Sequence, residues 1–247
     1  MRLTRGLTRR PRLTVTLLVA VALGAGVTVP ACGGSVLNGG GLRVLLAGDS
    51  LLAQASPRLR HDFEGDQATI RAIPGSGLLA VNFDWQAELR RQALRHHPEV
   101  AVLEFAGNYF PPFRAGTPPR SEAFFRAWDD AVSRAVGTLT QAGTIVYLVL
   151  IPPMRSADLN AVVQRLNQLY AARAARGAPQ VGCIDGRAGL TAPDGAFVPA
   201  LPDAQGRPLQ LRQLDGVHLT SAGAARFADH MAEVVHRETR HPSGACA

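Results

Sequence analysis

The chain has 247 residues, 47% of them hydrophobic and 18% charged, a balance that excludes intrinsic disorder and suits one globular domain. All 26 basic residues are Arg, against 19 acidic residues, for a formal net charge of +7. Five of those Arg fall in residues 1–31, which hold no acid, so beyond them 21 basic residues face 19 acidic ones. No basic run interleaved with aromatics remains there, which argues against nucleic-acid binding.

Residues 1–31 read as an export signal. Arg2, Arg5, Arg9, Arg10 and Arg12 form a positive start, and Leu13 to Val29 is apolar and uncharged, short for a membrane span. The segment ends Val29-Pro30-Ala31-Cys32-Gly33-Gly34. A small residue before Cys, after an apolar run, resembles the lipobox of bacterial lipoproteins, in which the Cys is lipidated and becomes the first residue. Pro30 is unusual inside that box, and the alternative is an ordinary secretory signal. Thr8-Arg9-Arg10 hints at twin-arginine export, a pattern that Pro11 and Arg12 fit poorly. The expectation is a protein on the outer face of a bacterial cytoplasmic membrane, lipid-anchored through Cys32, or secreted. Residues 32–41 form a Gly-rich flexible tether without periodicity.

From residue 42 the pattern alternates. Leu42–Ala47 is a continuous apolar run, the mark of a strand buried on both faces. Leu51–His61 can form a helix despite Pro57, and Ala68–Ile73 a second strand. Asp84 caps a helix running to His97, with Pro98 just beyond. Val100–Phe105 is a third strand, and Ser121 caps a long helix that Gly143 stops. Thr144–Ile151, a helix over Ala157–Arg176, Gln180–Ile184 and a helix over Ser221–Arg237 with a Ser cap complete the series. Strand alternating with helix gives an α/β three-layer sandwich around a five-stranded parallel sheet, as one domain over 42–247. Two long irregular connections, Ala106–Arg120 and Asp185–Leu214, follow strands, so both lie at the carboxyl edge where such sheets bind ligands. Cys183 and Cys246 either form a disulfide in an oxidising compartment or stay as two free thiols.

Gly48-Asp49-Ser50 closes the first strand, and Asp215-Gly216-Val217-His218-Leu219 precedes the last helix. A serine at a strand end, with an aspartate and a histidine three positions apart near the C-terminus, supplies a Ser-His-Asp triad in the order Ser, Asp, His. Ser50 is the nucleophile, His218 the base, and Asp215 the group that orients it. The N–H of Ser50, at a helix start, points at a developing oxyanion. No metal-ligand spacing exists: His96-His97 ends a helix, and His230 and His236 lack matching partners. No cofactor is implied. Tyr109, Phe110 and Phe113 either line a substrate groove or anchor their loop.

On these motifs the chain resembles the SGNH, or GDSL-type, hydrolases. Val44-Leu45-Leu46-Ala47-Gly48-Asp49-Ser50 is similar to the family's first block and Asp215-Gly216-Val217-His218-Leu219-Thr220 to its last. Its second block supplies an oxyanion-hole glycine N–H. Within Ile73-Pro74-Gly75-Ser76-Gly77-Leu78 either Gly75 or Gly77 serves, and Gly77 is favoured because Gly-Ser-Gly-Leu ahead of Phe83-Asp84-Trp85 is similar to a bacterial branch of the family. The third block supplies an Asn amide, here Asn108 in Leu103-Glu104-Phe105-Ala106-Gly107-Asn108-Tyr109, although Ala106 and Tyr109 replace the usual Gly and Asp. The Gly-x-Ser-x-Gly elbow of α/β-hydrolases is absent.

The resemblance covers roughly residues 42–238 and implies a flavodoxin-like SGNH fold. It also implies two-step acyl transfer at Ser50, with the Ser50 and Gly77 N–H groups and the Asn108 amide holding the oxyanion. The expected substrate is a small acyl ester on a cell-envelope glycan or lipid. The alternatives are an O-acyltransferase using the same site and a non-catalytic glycan-binding envelope protein.

Overall fold

In a computed structural model, residues 40–106, 112–113, 116–238, 242 and 245–247 are described. Five strands form one sheet: β1 (Arg43–Gly48), β2 (Gln67–Ala72), β3 (Val100–Glu104), β4 (Ile145–Val149) and β5 (Val181–Ile184). They lie in the order β2-β1-β3-β4-β5, every pair parallel. The three central strands, β1, β3 and β4, are almost wholly buried, as continuous Val, Leu and Ala runs require when both faces are covered.

The covering helices are α1 (Ser50–Asp62), α2 (Trp85–His96), α3 (Glu122–Gln141), α4 (Ala157–Gly177) and α5 (Ser221–Glu238). α1 packs on α5 on one face, while α2, α3 and α4 line the other. Asp84 and Ser121 cap their helices as expected, accepting from Ala87 N–H at 3.1 Å and Phe124 N–H at 3.1 Å. For α5 the cap is Thr220 and not Ser221. Thr220 Oγ1 accepts from Gly223 N–H at 3.2 Å, and Ser221 is already the first helical residue. Pro57 lies inside α1 and leaves the helix continuous.

The connection after β5 is less irregular than its composition suggests. It carries an antiparallel hairpin, β6 (Ala200–Pro202) and β7 (Pro208–Gln210). Asp203 closes its turn by accepting from Gln205 and Arg207 N–H groups, with Gly206 at φ 75°. At the chain end Ala247 N–H donates to Cys183 O at 3.1 Å, and Asp185 N–H to Ala247 O at 2.6 Å. Cys246 lies beside Cys183 on β5, and the two form a disulfide. At the other end of the domain, a Cβ on Gly41 would collide with the backbone of Gly65 and Asp66, so the end of the Gly-rich stretch is seated on the domain.

Candidate active site

The strand order reverses between β1 and β3, and at such a switch point the crevice beyond the strand ends opens. Ser50 stands there, one residue past β1 and at the first position of α1. Asp49 caps that helix, its Oδ1 accepting from Leu51 N–H at 3.3 Å. Its Oδ2 accepts from Ala106 N–H at 2.8 Å, so one side chain ties the Ser50 turn to the chain leaving β3.

His218 arrives from the opposite end of the chain. Its Nε2 is 3.1 Å from Ser50 Oγ, and its Nδ1 is 2.7 Å from Asp215 Oδ2. With Nδ1–H donating to the carboxylate, Nε2 is left as acceptor for the Ser50 hydroxyl proton. Asp215 Oδ1 also accepts from the Val217 and His218 N–H groups, at 2.8 and 2.9 Å. Partial burial pushes the Asp215 carboxyl up, but the hydrogen bonds from the His218 side chain and the two N–H groups outweigh it and hold it down at about 2. The three residues expected to form a triad are thus brought together in one hydrogen-bonded line. His218 and Asp215 keep 35% and 45% of their side-chain surface exposed, so the line is open to a ligand.

The turn that carries Asp215 and His218 is braced from three sides. Gln54 of α1 accepts Leu219 N–H at 2.9 Å. Arg155, beyond β4, donates its N–H to Gly216 O at 3.1 Å and Nη1 to Leu214 O at 2.7 Å. Arg212 is fully buried, donates Nη2 to Val217 O at 2.8 Å, and lies 5.3 Å over the Phe197 ring. Burial lowers its pKa to about 10, with the Asp215 charge opposing, so it remains a cation near Asp215 at neutral pH. Sequence reasoning missed Arg212, Arg155 and Gln54. Nothing in their spacing marks them, because Gln54 and Arg155 reach the turn only through the fold and the burial of the adjacent Arg212 is not visible in the sequence.

In the second block, Pro74 and Gly75 occupy the corners of a turn closed by Ser76 N–H to Ile73 O at 3.2 Å. Gly75 has φ 71° and is exposed, so the turn itself requires that glycine. Gly77 follows it, buried, and Trp85 Nε1 fixes the segment by donating to Ser76 Oγ at 2.9 Å. Asn108 lies outside the described residues, as do Cys32, Tyr109 and Phe110. Phe113 is buried against Phe124, ring centroids 5.1 Å apart, and therefore anchors its loop. His236 pairs with Asp66 and His230 approaches Ala247 O, neither near the triad line.

A protein family described as "Protein of unknown function (DUF459)" matches residues 43–234. A comparison with curated proteins returns no match. Among solved structures, a GDSL-like lipase from Bacteroides thetaiotaomicron is similar at TM-score 0.58 and 14% identity, covering 79% of this chain and 88% of that one. The C-terminal catalytic domain of Streptococcus pneumoniae peptidoglycan O-acetyltransferase A is similar at TM-score 0.55 and 17% identity, covering 83% and 98%. An acetyl xylan esterase is similar at TM-score 0.55 and 16% identity, covering 78% and 100%. The fold is that of the SGNH hydrolases, as the motifs implied.

Proposed function

The chain belongs to the DUF459 family, and from that premise we propose that it is an exported serine esterase acting on a small acyl ester of a cell-envelope glycan or lipid. The observation that carries the reading is the line Ser50 Oγ–His218 Nε2 at 3.1 Å and His218 Nδ1–Asp215 Oδ2 at 2.7 Å, at the switch point of the sheet. His218 takes the Ser50 proton as Oγ attacks the ester carbonyl. The Ser50 and Gly77 N–H groups and the Asn108 amide hold the oxyanion, each such donor accounting for about 100- to 1000-fold in rate. The alcohol leaves with the proton from His218, and water, activated by the same base, releases the acid. Asp215 stays ionised throughout and stabilises the imidazolium.

If a sugar hydroxyl takes the place of water, the same site becomes an acyltransferase. The likeness to the Streptococcus pneumoniae O-acetyltransferase domain supports keeping that second reading. Turnover of p-nitrophenyl esters from acetyl to palmitoyl, with and without added glycan acceptor, tests both. Ser50→Ala and His218→Ala are expected to abolish turnover with an unchanged circular dichroism spectrum. Wild-type turnover in either variant would sink the catalytic assignment, and acylated glycan in place of free acid would decide for transfer.

A further inference from the structure

Directly behind Ser50 two carboxyl groups are buried together. Asp49 is 1% exposed and Glu104, the last residue of β3, 0%. Asp49 N–H donates to Glu104 O at 3.2 Å, and Glu104 Oε2 accepts from Leu52 N–H at 3.1 Å. Glu104 Oε1 is buried and has no hydrogen-bond partner among the described residues, and the Asp49 and Glu104 carboxyls accept from successive N–H groups at the start of α1, those of Leu51 and Leu52. Two carboxyl groups buried side by side away from water disfavour each other's ionisation, which favours a state with one proton kept on the pair. Asp49 already accepts from the Leu51 and Ala106 N–H groups, a set that favours its charged form.

We propose that Glu104 is a positioning residue held as the neutral acid, its Oε1–H donating to the Asp49 carboxylate and thereby fixing the Ser50 turn against the chain leaving β3. The inference rests on the esterase reading of Ser50. Its consequence is local: the Asp49 carboxylate bridges the first N–H groups of α1 to Ala106 N–H, the residue that opens the connection carrying Asn108. Losing the shared proton sets two adjacent buried charges against each other and loosens both ends of that bridge.

The electrostatics agree with the geometry. Burial, then the Asp49 charge, push Glu104 well above the ordinary carboxylate range. Burial raises Asp49 to about 6, opposed by three N–H groups and by His218. The other titratable groups facing the pair are His218, from the turn before α5, and the Tyr170 phenol of α4, which donates to Phe105 O at 2.9 Å. Burial raises that phenol, so it stays neutral beside the pair. The two directions together favour the state in which Asp49 is the charged member and Glu104 the neutral acid.

The test is the pH profile of kcat for wild type and Glu104→Gln. A Gln amide places an N–H donor where the acid O–H stands and does not ionise. Wild-type kcat is expected to fall on the alkaline side with little change in KM. Glu104→Gln is expected to keep most of the neutral-pH kcat and lose that alkaline fall, whereas Glu104→Ala loses about 100-fold through misplacement of the nucleophile. An alkaline fall that persists unchanged in Glu104→Gln overturns the inference.

A second measurement does not depend on activity. The infrared difference spectrum of wild type minus Glu104→Gln at about pH 8 is expected to show a carboxylic-acid carbonyl band. Absence of that band, with Ser50→Ala inactive, overturns this inference alone. Full activity in Ser50→Ala with the band present overturns the esterase reading instead.

Discussion

Asp215 accepts three hydrogen bonds at once, from His218 Nδ1 and from two N–H groups of its own turn. Its pKa of about 2 lies below the ordinary unfolded value of about 3.9, so its stabilising effect is present above that value and is lost as pH falls toward 2. Within any working range it is a carboxylate. Asp215→Asn presents an amide NH2 to Nδ1, which forces the proton onto Nε2 and leaves no lone pair for the Ser50 hydroxyl. A fall in kcat of about 10,000-fold at neutral pH is the expected outcome, with the fold retained. Steady-state kinetics decide it, and a variant within tenfold of wild type would remove Asp215 from the mechanism (a tenfold change being about 1.4 kcal/mol). The hydrogen-bonded line of Ser50, His218 and Asp215 was legible in the sequence because Asp215 and His218 sit in one turn and Ser50 follows a recognisable strand. Arg212 and Glu104 were not assigned roles, because Glu104 acts through its burial and through Leu52, 52 residues away, and Arg212 through a burial that composition does not reveal, although the carbonyls it holds lie four and five residues on.

Among elements, the five parallel strands and five helices could be read from apolar runs, caps and stop signals, with boundaries correct to within one or two residues. The β6–β7 hairpin escaped because each strand has three residues and both border on proline, a pattern that reads as loop. The turn between β7 and α5 shows how an element holds chemistry in place. Gly216 has φ 73°, and a Cβ there would collide with Arg155 Cβ, whose backbone and guanidinium both grip the turn. Gly216→Ala meets a left-handed backbone and a filled space together, a strain of about 1–3 kcal/mol. The turn is expected to swing Asp215 and His218 away from Ser50, lowering kcat by about 100-fold with a modest drop in melting temperature. Thermal melts and kinetics on the same preparation check this, and an unchanged kcat would show that the grip of Arg155 is dispensable.

At the scale of the whole molecule, the two ends of the chain bear on the same question of where it works. The tail is fastened to β5 by the Cys183–Cys246 disulfide, which closes a loop with a sequence separation of 63 and suits an oxidising compartment. At the other end stand an Arg-rich start, an apolar run and Ala31-Cys32-Gly33. The proposed export joins these observations, and under a lipoprotein reading the leader would be removed before Cys32 and the lipid carried there. A diacylated Cys gives stable attachment where a single chain is marginal. Cys32→Ala is therefore expected to release the protein into the medium or leave its leader uncleaved, and mass spectrometry of the mature N-terminus reads the result directly. An unmodified terminus at any residue other than Cys32 would make this a freely secreted enzyme, and Pro30, inside the cleavage motif, is the residue whose substitution would then be expected to restore lipidation.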